Sequence, residues 1–111
     1  VNISSGLGFA PKMQAPVYCA TKSAIHIATK ALRYQLENTG IRVIEMIPPL
    51  VDTAMTSGRG SGKIRPARLV DEFFAKAVAG RLEINIGKTK ILRLLQRFSP
   101  KAADRLMRNG L

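Results

Sequence analysis

The first half of the sequence constrains the fold most, because a strand pattern, a long helix pattern and a second strand pattern follow one another there. VNIS, at 1–4, alternates β-branched and polar residues as the end of a strand does. SSGLGFAPKMQAP is rich in Ser, Gly and Pro and predicts a loop. From about Ala15 to Asn38, apolar residues recur at helical spacing: Ala20, Ala24, Ile27, Ala28, Ala31, Leu32 and Leu36. Gly40 offers a carboxyl cap. IRVIEMIPP, at 41–49, is short, β-branched and stopped by two prolines, which predicts the next strand. Strand, helix and strand in this order make the unit of a parallel sheet, so the fold class is α/β.

The second half extends the same plan. TSGRGSGKIR, at 56–65, reads as a flexible loop, and Pro66 suits the first turn of a helix running to about Ala79. Leu69, Val70, Phe73, Phe74, Ala77 and Val78 share one face of that helix, and Gly80 closes it. LEINIG, at 82–87, predicts a third strand. The tail holds two helical pieces broken at Ser99-Pro100, the first with Ile91, Leu94, Leu95 and Phe98 on one face.

Charge and composition narrow the function classes. Residues 1–56 carry a net +2 and residues 57–111 a net +9, out of +11 for the chain. A basic half of this kind suits either a solvated surface or an anionic partner. The absence of Trp and the few other aromatics argue against stacking platforms for single-stranded nucleic acid, and no nucleic-acid partner is expected. The lone Cys19 excludes an internal disulfide and any cysteine metal cluster, and no metal is expected. No run approaches the roughly 18 apolar residues of a membrane span. The opening VNISS has no features of a signal peptide and starts as if within a strand, so an amino-terminal part is expected to precede it.

Tyr18 and Lys22, four apart in VYCATKS, would rise from one face of the helix, one turn from each other. Ser5 lies 13 residues before Tyr18, at the end of the first strand. PPLVDT, at 48–53, leaves the carboxyl end of the next strand, where open α/β sheets bind ligands. NISS at 2–5, YCATK at 18–22 and PPLVDT at 48–53, in this order and near this spacing, closely resemble the carboxyl-terminal half of a short-chain dehydrogenase/reductase. The tail, with EINIGK and LLQRFSPKAADRLM, is similar to the DltE-like subgroup of bacterial oxidoreductases.

The resemblance implies a Rossmann-type doubly wound fold and a carbonyl–alcohol interconversion that depends on NAD or NADP. It implies that Tyr18 exchanges a proton with the substrate oxygen. Lys22 favours the phenolate as a neighbouring cation does, and holds the nicotinamide ribose. Ser5 would hydrogen-bond the same substrate oxygen. Pro48, Val51 and Thr53, with Tyr18 and Lys22, would hold the coenzyme. The partners implied are a small carbonyl or alcohol substrate and a second copy of the chain packed on the long helix, with a cytoplasmic location. In this view residues 1–56 form the catalytic strand–helix–strand segment. Residues 57–111 add the substrate-side loop and helix, the last strand and the basic helices of the same domain.

Other readings bear on the same residues. Ser4 suits a strand-end role as well on composition, and only the 13-residue interval singles out Ser5. His26, one turn beyond Lys22, reads as a surface or packing residue rather than a relay, and Cys19 as a packing residue. GRGSGK lacks the spacing of a phosphate loop and reads as a substrate-side loop. Pro48-Pro49 stands where the family usually has Pro-Gly, so any contact needing an amide hydrogen at 49 is lost. The family's glycine-rich pyrophosphate turn lies upstream of Ser5 and is not in this chain. Two further functions therefore compete: a truncated module that binds without catalysing, and a basic module on an anionic membrane or nucleic acid. The short apolar stripe and the break at Pro100 favour packing of the tail over membrane contact.

Overall fold

The computed structural model describes residues 1–110. Strand β1 is Asn2–Ile3, helix α1 is Pro16–Gln35 and strand β2 is Glu45–Ile47. Helix α2 is Pro66–Val78, strand β3 is Glu83–Asn85, and helices α3 and α4 are Thr89–Phe98 and Pro100–Met107. The strands form one parallel sheet in the order β1-β2-β3, so each crossover carries a helix, as parallel pairing demands.

Proline opens three of the helices, at Pro16, Pro66 and Pro100, where a missing amide hydrogen costs nothing. Gly80 closes α2 with φ +85°. The Gly80 amide donates to the Ala77 carbonyl and the Arg81 amide to that of Lys76, which is a Schellman motif. Gly40 has no such role. Helix α1 already ends at Gln35, where the Leu36 amide donates to Leu32, and Thr39 Oγ1 donates to the Leu36 carbonyl in the following turn. The strands are also shorter than the patterns at 41–49 and 82–87 predict.

Register divides the sheet into two unlike faces. Asn2, Glu45 and Glu83 stand side by side across the three strands, as do Ile3, Met46 and Ile84 one position on. Because side chains alternate along a strand, these two rows point to opposite sides. The apolar row meets α2: Leu69, Phe73 and Ala77 bury against Ile84 and Ile86, with Ile44 and Met46 packed alongside. A second cluster lies around α3 and α4, formed by Ala10, Leu92, Ala103 and Met107.

The polar row meets α1, and the helix face turned toward it is polar. Its buried residues are Cys19, His26 and Thr29, while Ala20, Ala24, Ala28 and Ala31 are exposed and Ile27 is 60% exposed. Polar strand residues recruit polar helix residues. Asn2 Nδ2 donates to Thr29 Oγ1 at 3.0 Å, and His26 reaches Glu45. Helix α2 likewise buries only Leu69, Phe73 and Ala77, leaving Val70, Phe74 and Val78 outside. On α3 the expected Ile91, Leu94 and Phe98 face outward. Leu92 is buried instead and Leu95 is half-buried, because the helix turns that side to α4. No helix among the described residues is long and apolar enough to cross a membrane.

Candidate active site

Parallel strands bring their carboxyl ends to one edge, and here that edge opens into a cleft of about 390 Å³. Ser5, Tyr18, Lys22, Pro48, Val51 and Thr53, the six residues picked out by the sequence motifs, all line it. Two come from helix α1, one follows β1 and three follow β2. The sequence separates them by up to 48 positions, and the topology gathers them.

The two strand-end serines have different surroundings. Ser4 is buried and its hydroxyl donates to Glu45 Oε1 at 2.5 Å. Ser5 is half-buried, and its Oγ accepts from the Leu7 amide at 3.2 Å, capping the 3-10 turn Gly6–Gly8. That bond uses a lone pair and leaves the Ser5 O–H to donate into the cleft.

Tyr18 stands in the first turn of α1 and is 43% exposed. Lys22 follows one turn later, with Nζ 5.6 Å from the Tyr18 ring centroid. The same ammonium donates to the Ile3 carbonyl at 3.1 Å, which ties α1 to the end of β1 and fixes where its charge sits. Close packing supports this seam. A Cβ on Gly8 would stand 2.9 Å from the Lys22 carbonyl carbon, so only glycine lets the 3-10 turn lie against the helix there.

The wall after β2 is shaped by its proline pair. Val51 makes a parallel bridge with Ile64, but the bonds are Asp52 amide to Ile64 carbonyl and Ile64 amide to Leu50 carbonyl. The Val51 N–H therefore takes no part in the bridge. The Thr53 amide donates to Thr56 Oγ1 at 3.1 Å at the mouth of the cleft. Pro49, which replaces the family's usual glycine, lies over Gly87: a Cβ there would be 3.1 Å from the Pro49 ring, and Gly87 has φ +59°. The ring thus fills a gap at the β3–α3 turn that a second glycine would leave open. Ser61 and Gly62 of the 56–65 loop also line the cleft.

Beneath the cleft lies a polar cluster that hydrophobic periodicity missed. Glu45 is fully buried on β2 and accepts from His26 Nδ1 through both oxygens, at 3.0 and 2.9 Å. With Ser4 on one side and Arg33 Nη2 3.9 Å away on the other, it joins β1, β2 and α1. His26 is buried, stacked edge-on to Phe9, and so is a packing residue rather than a surface one. The signal available in the sequence was a lone Glu inside the apolar run VIEMI. The neighbouring Glu83 pairs with Arg93 of α3 at 2.8 Å; burial pushes its carboxyl up, but the guanidinium outweighs this and holds it below the ordinary 4.5. His26, Glu45 and Glu83 bring potential ligand atoms within 4.8 Å of one another, yet these atoms are spent on each other and on Arg93.

A larger hollow of about 970 Å³ lies between α2 and α3, lined by Lys76, Arg81, Glu83 and Arg97 among others. It contains none of Ser5, Tyr18, Lys22, Pro48, Val51 and Thr53, so the smaller cleft is the candidate site.

Comparison with known proteins identifies the family. The family model described as short chain dehydrogenase matches residues 1–63. The uncharacterized oxidoreductase DltE of Bacillus subtilis is 53% identical over 55 residues, covering 50% of this chain and 22% of that protein. An uncharacterized oxidoreductase of Staphylococcus epidermidis is 34% identical over 93 residues, covering 82% of this chain and 40% of that protein. One of Staphylococcus aureus is 40% identical over 57 residues, or 51% of this chain and 25% of that protein. The chain thus spans well under half the length of the curated relatives it matches. No solved structure gives a significant match.

Proposed function

This chain belongs to the short chain dehydrogenase family, and from that premise we propose that it is the proton-transfer segment of an oxidoreductase that interconverts a carbonyl and an alcohol using NAD or NADP. The observation that carries the reading is the convergence of Ser5, Tyr18 and Lys22 with Pro48, Val51 and Thr53 on one cleft.

The residues divide the work by their chemistry. Tyr18 gives its phenolic proton to the carbonyl oxygen in reduction and takes it back in oxidation. Lys22 stands one turn away, with its Nζ 5.6 Å from the Tyr18 ring centroid, on the same side of the cleft as the reacting phenol. The Ser5 O–H donates to the same substrate oxygen and stabilises the charge that gathers there. Lys22 retains two further donor hydrogens beyond its bond to Ile3, which suits the ribose hydroxyls of a coenzyme. The Val51 amide and the Thr53 hydroxyl suit its carboxamide, with Pro48 packed beside them. A bound nicotinamide supplies the hydride, and the protein orients and polarises.

Residues 1–56 provide these groups, and residues 57–111 add the loop, last strand and helices that wall the substrate side, as parts of one domain. Such an enzyme works as a homo-oligomer in the cytoplasm, on a small-molecule substrate. The full-length protein should oxidise NADH or NADPH only when a carbonyl compound is supplied, and Ser5→Ala should lower kcat by about 10²-fold. Failure of a broad aldehyde and ketone panel with both coenzymes would favour a module that binds without catalysing.

A further inference from the structure

The cleft carries a charge imbalance that proton transfer does not use. Lys12, Lys22 and Lys88 line it, and no Asp or Glu does. Lys22 bonds the Ile3 carbonyl, lies beside the Tyr18 ring and has its remaining donors assigned to the coenzyme ribose above. Lys12 and Lys88 arrive from other directions, one from the loop after Gly6–Gly8 and the other from the turn between β3 and α3.

Several lysines outside the lining stand beside carboxylates: Lys63 lies 4.0 Å from Asp52, and Lys76 and Lys90 share Glu72 at 2.6 and 2.5 Å. Among the described residues, no carboxylate pairs with Lys12 or Lys88. Lys12 is half-buried and Lys88 is exposed at the rim. The Lys88 ammonium lies 2.9 Å from where a Cβ on Gly62 would stand, and that of Lys12 lies 3.1 Å from the same point on Gly110. Each is laid along a segment at the cleft rim. The walls between them are largely apolar, with Leu7, Leu50, Met55, Leu92 and Met107. Ammonium groups without counter-ions beside low-dielectric walls attract anions more strongly than the same groups in open water.

We propose that the cleft takes an amphipathic carbonyl or hydroxy compound bearing an anionic group, a carboxylate or a phosphate, which Lys12 and Lys88 hold while the reacting oxygen lies against Ser5 and Tyr18. This rests on the oxidoreductase reading above and names its substrate class. A phosphate of the coenzyme offers the same chemistry to the same lysines, so the test separates the two.

Full-length protein saturated with coenzyme is assayed on 4-formylbenzoate and on its methyl ester, which share a reacting aldehyde and differ in charge. The acid should have the higher kcat/KM by about tenfold, the worth of one charge-assisted contact. Lys88→Gln and Lys12→Gln should each pull the acid-to-ester ratio toward one. Raising ionic strength from about 0.01 M to about 0.15 M should lower the ratio as well. A ratio near one in the wild type, or one the lysine variants leave intact, overturns the anion site. So does a rise in the coenzyme KM with the ratio unchanged, which would assign the lysines to the coenzyme. A binding readout covers a protein that turns over neither compound: 4-(hydroxymethyl)benzoate should raise the Tm of the coenzyme-loaded wild type more than its methyl ester does, and Lys88→Gln should erase the difference. Equal shifts overturn the proposal. Turnover of the ester with a lost acid preference leaves the oxidoreductase reading standing, and turnover unaffected by Tyr18→Phe sinks that reading itself.

Discussion

Two serines end β1, and their hydroxyls meet different partners. Ser4 gives its proton to a fully buried carboxylate, whereas Ser5 caps a turn with a lone pair and keeps its proton for the cleft. Substitution should separate the two uses. Ser4→Ala strands one side of Glu45 and should cost about 1–3 kcal/mol of stability, read from denaturant unfolding. Ser5→Ala should cost less, about 0.5–1 kcal/mol for the lost cap of a short turn, and act chiefly on turnover. Equal loss of stability in both variants would contradict the division. The spacing of Ser5, Tyr18 and Lys22 was legible because a four-residue interval on a helix and the end of a parallel strand translate directly into position. Which of the two serines is committed to the core was not legible, since their sequence contexts differ only in order.

At the scale of elements, the contact between α1 and the sheet is polar. The hydrophobic pattern at Ala20, Ala24, Ile27 and Ala28 is real, but it marks the outer face of the helix. The inner face is set by partners far away in sequence: Asn2 for Thr29, and Glu45 for His26. Reading one helix alone cannot reveal such pairing; the glutamate within VIEMI was its one local trace. Glu45→Ala would leave His26 and Ser4 without their common acceptor and remove the charge beside Arg33, and should destabilise the protein by about 3–5 kcal/mol. Replacing His26 and Glu45 together by apolar residues of similar volume should cost less than Glu45→Ala alone, which a double-mutant cycle would reveal.

The pairing of β3 with α3 has a pH signature. Because Arg93 holds the Glu83 carboxyl below 4.5 in the folded chain, the folded state favours the ionised form more than the unfolded state does. Its contribution is present above the unfolded value and is lost as pH falls through the lower, folded one. Glu72, held down by Lys76 and Lys90 against the opposing effect of its burial, acts in the same direction. Stability should therefore drop on acidification below about pH 4.5, more gently in Glu83→Gln, as followed by urea unfolding across pH. An unchanged acid limb in that variant would show that the pair contributes nothing.

At the scale of the molecule, the surface is larger than a chain of this mass needs. Its accessible area is 7393 Å², against about 6,000 Å² for a monomeric protein of 12.1 kDa. Part of the difference is apolar: Ile27 on α1, Phe74 and Val78 on α2, and Ile91 and Phe98 on α3 are each at least 60% exposed. The relatives extend well beyond the matched region. The isolated 111-residue chain should self-associate at micromolar concentration in sedimentation experiments, and Phe74→Glu with Val78→Lys should reduce that association. A monodisperse monomer would mean that these faces tolerate water.

The central claim, that Tyr18 is the proton donor of a nicotinamide-dependent oxidoreductase, is tested most directly by Tyr18→Phe in the full-length protein. Carbonyl-dependent coenzyme oxidation and coenzyme binding would be measured side by side. The account predicts turnover lower by about 10²–10⁴-fold with coenzyme affinity within a few fold of wild type. Turnover equal to wild type would contradict it.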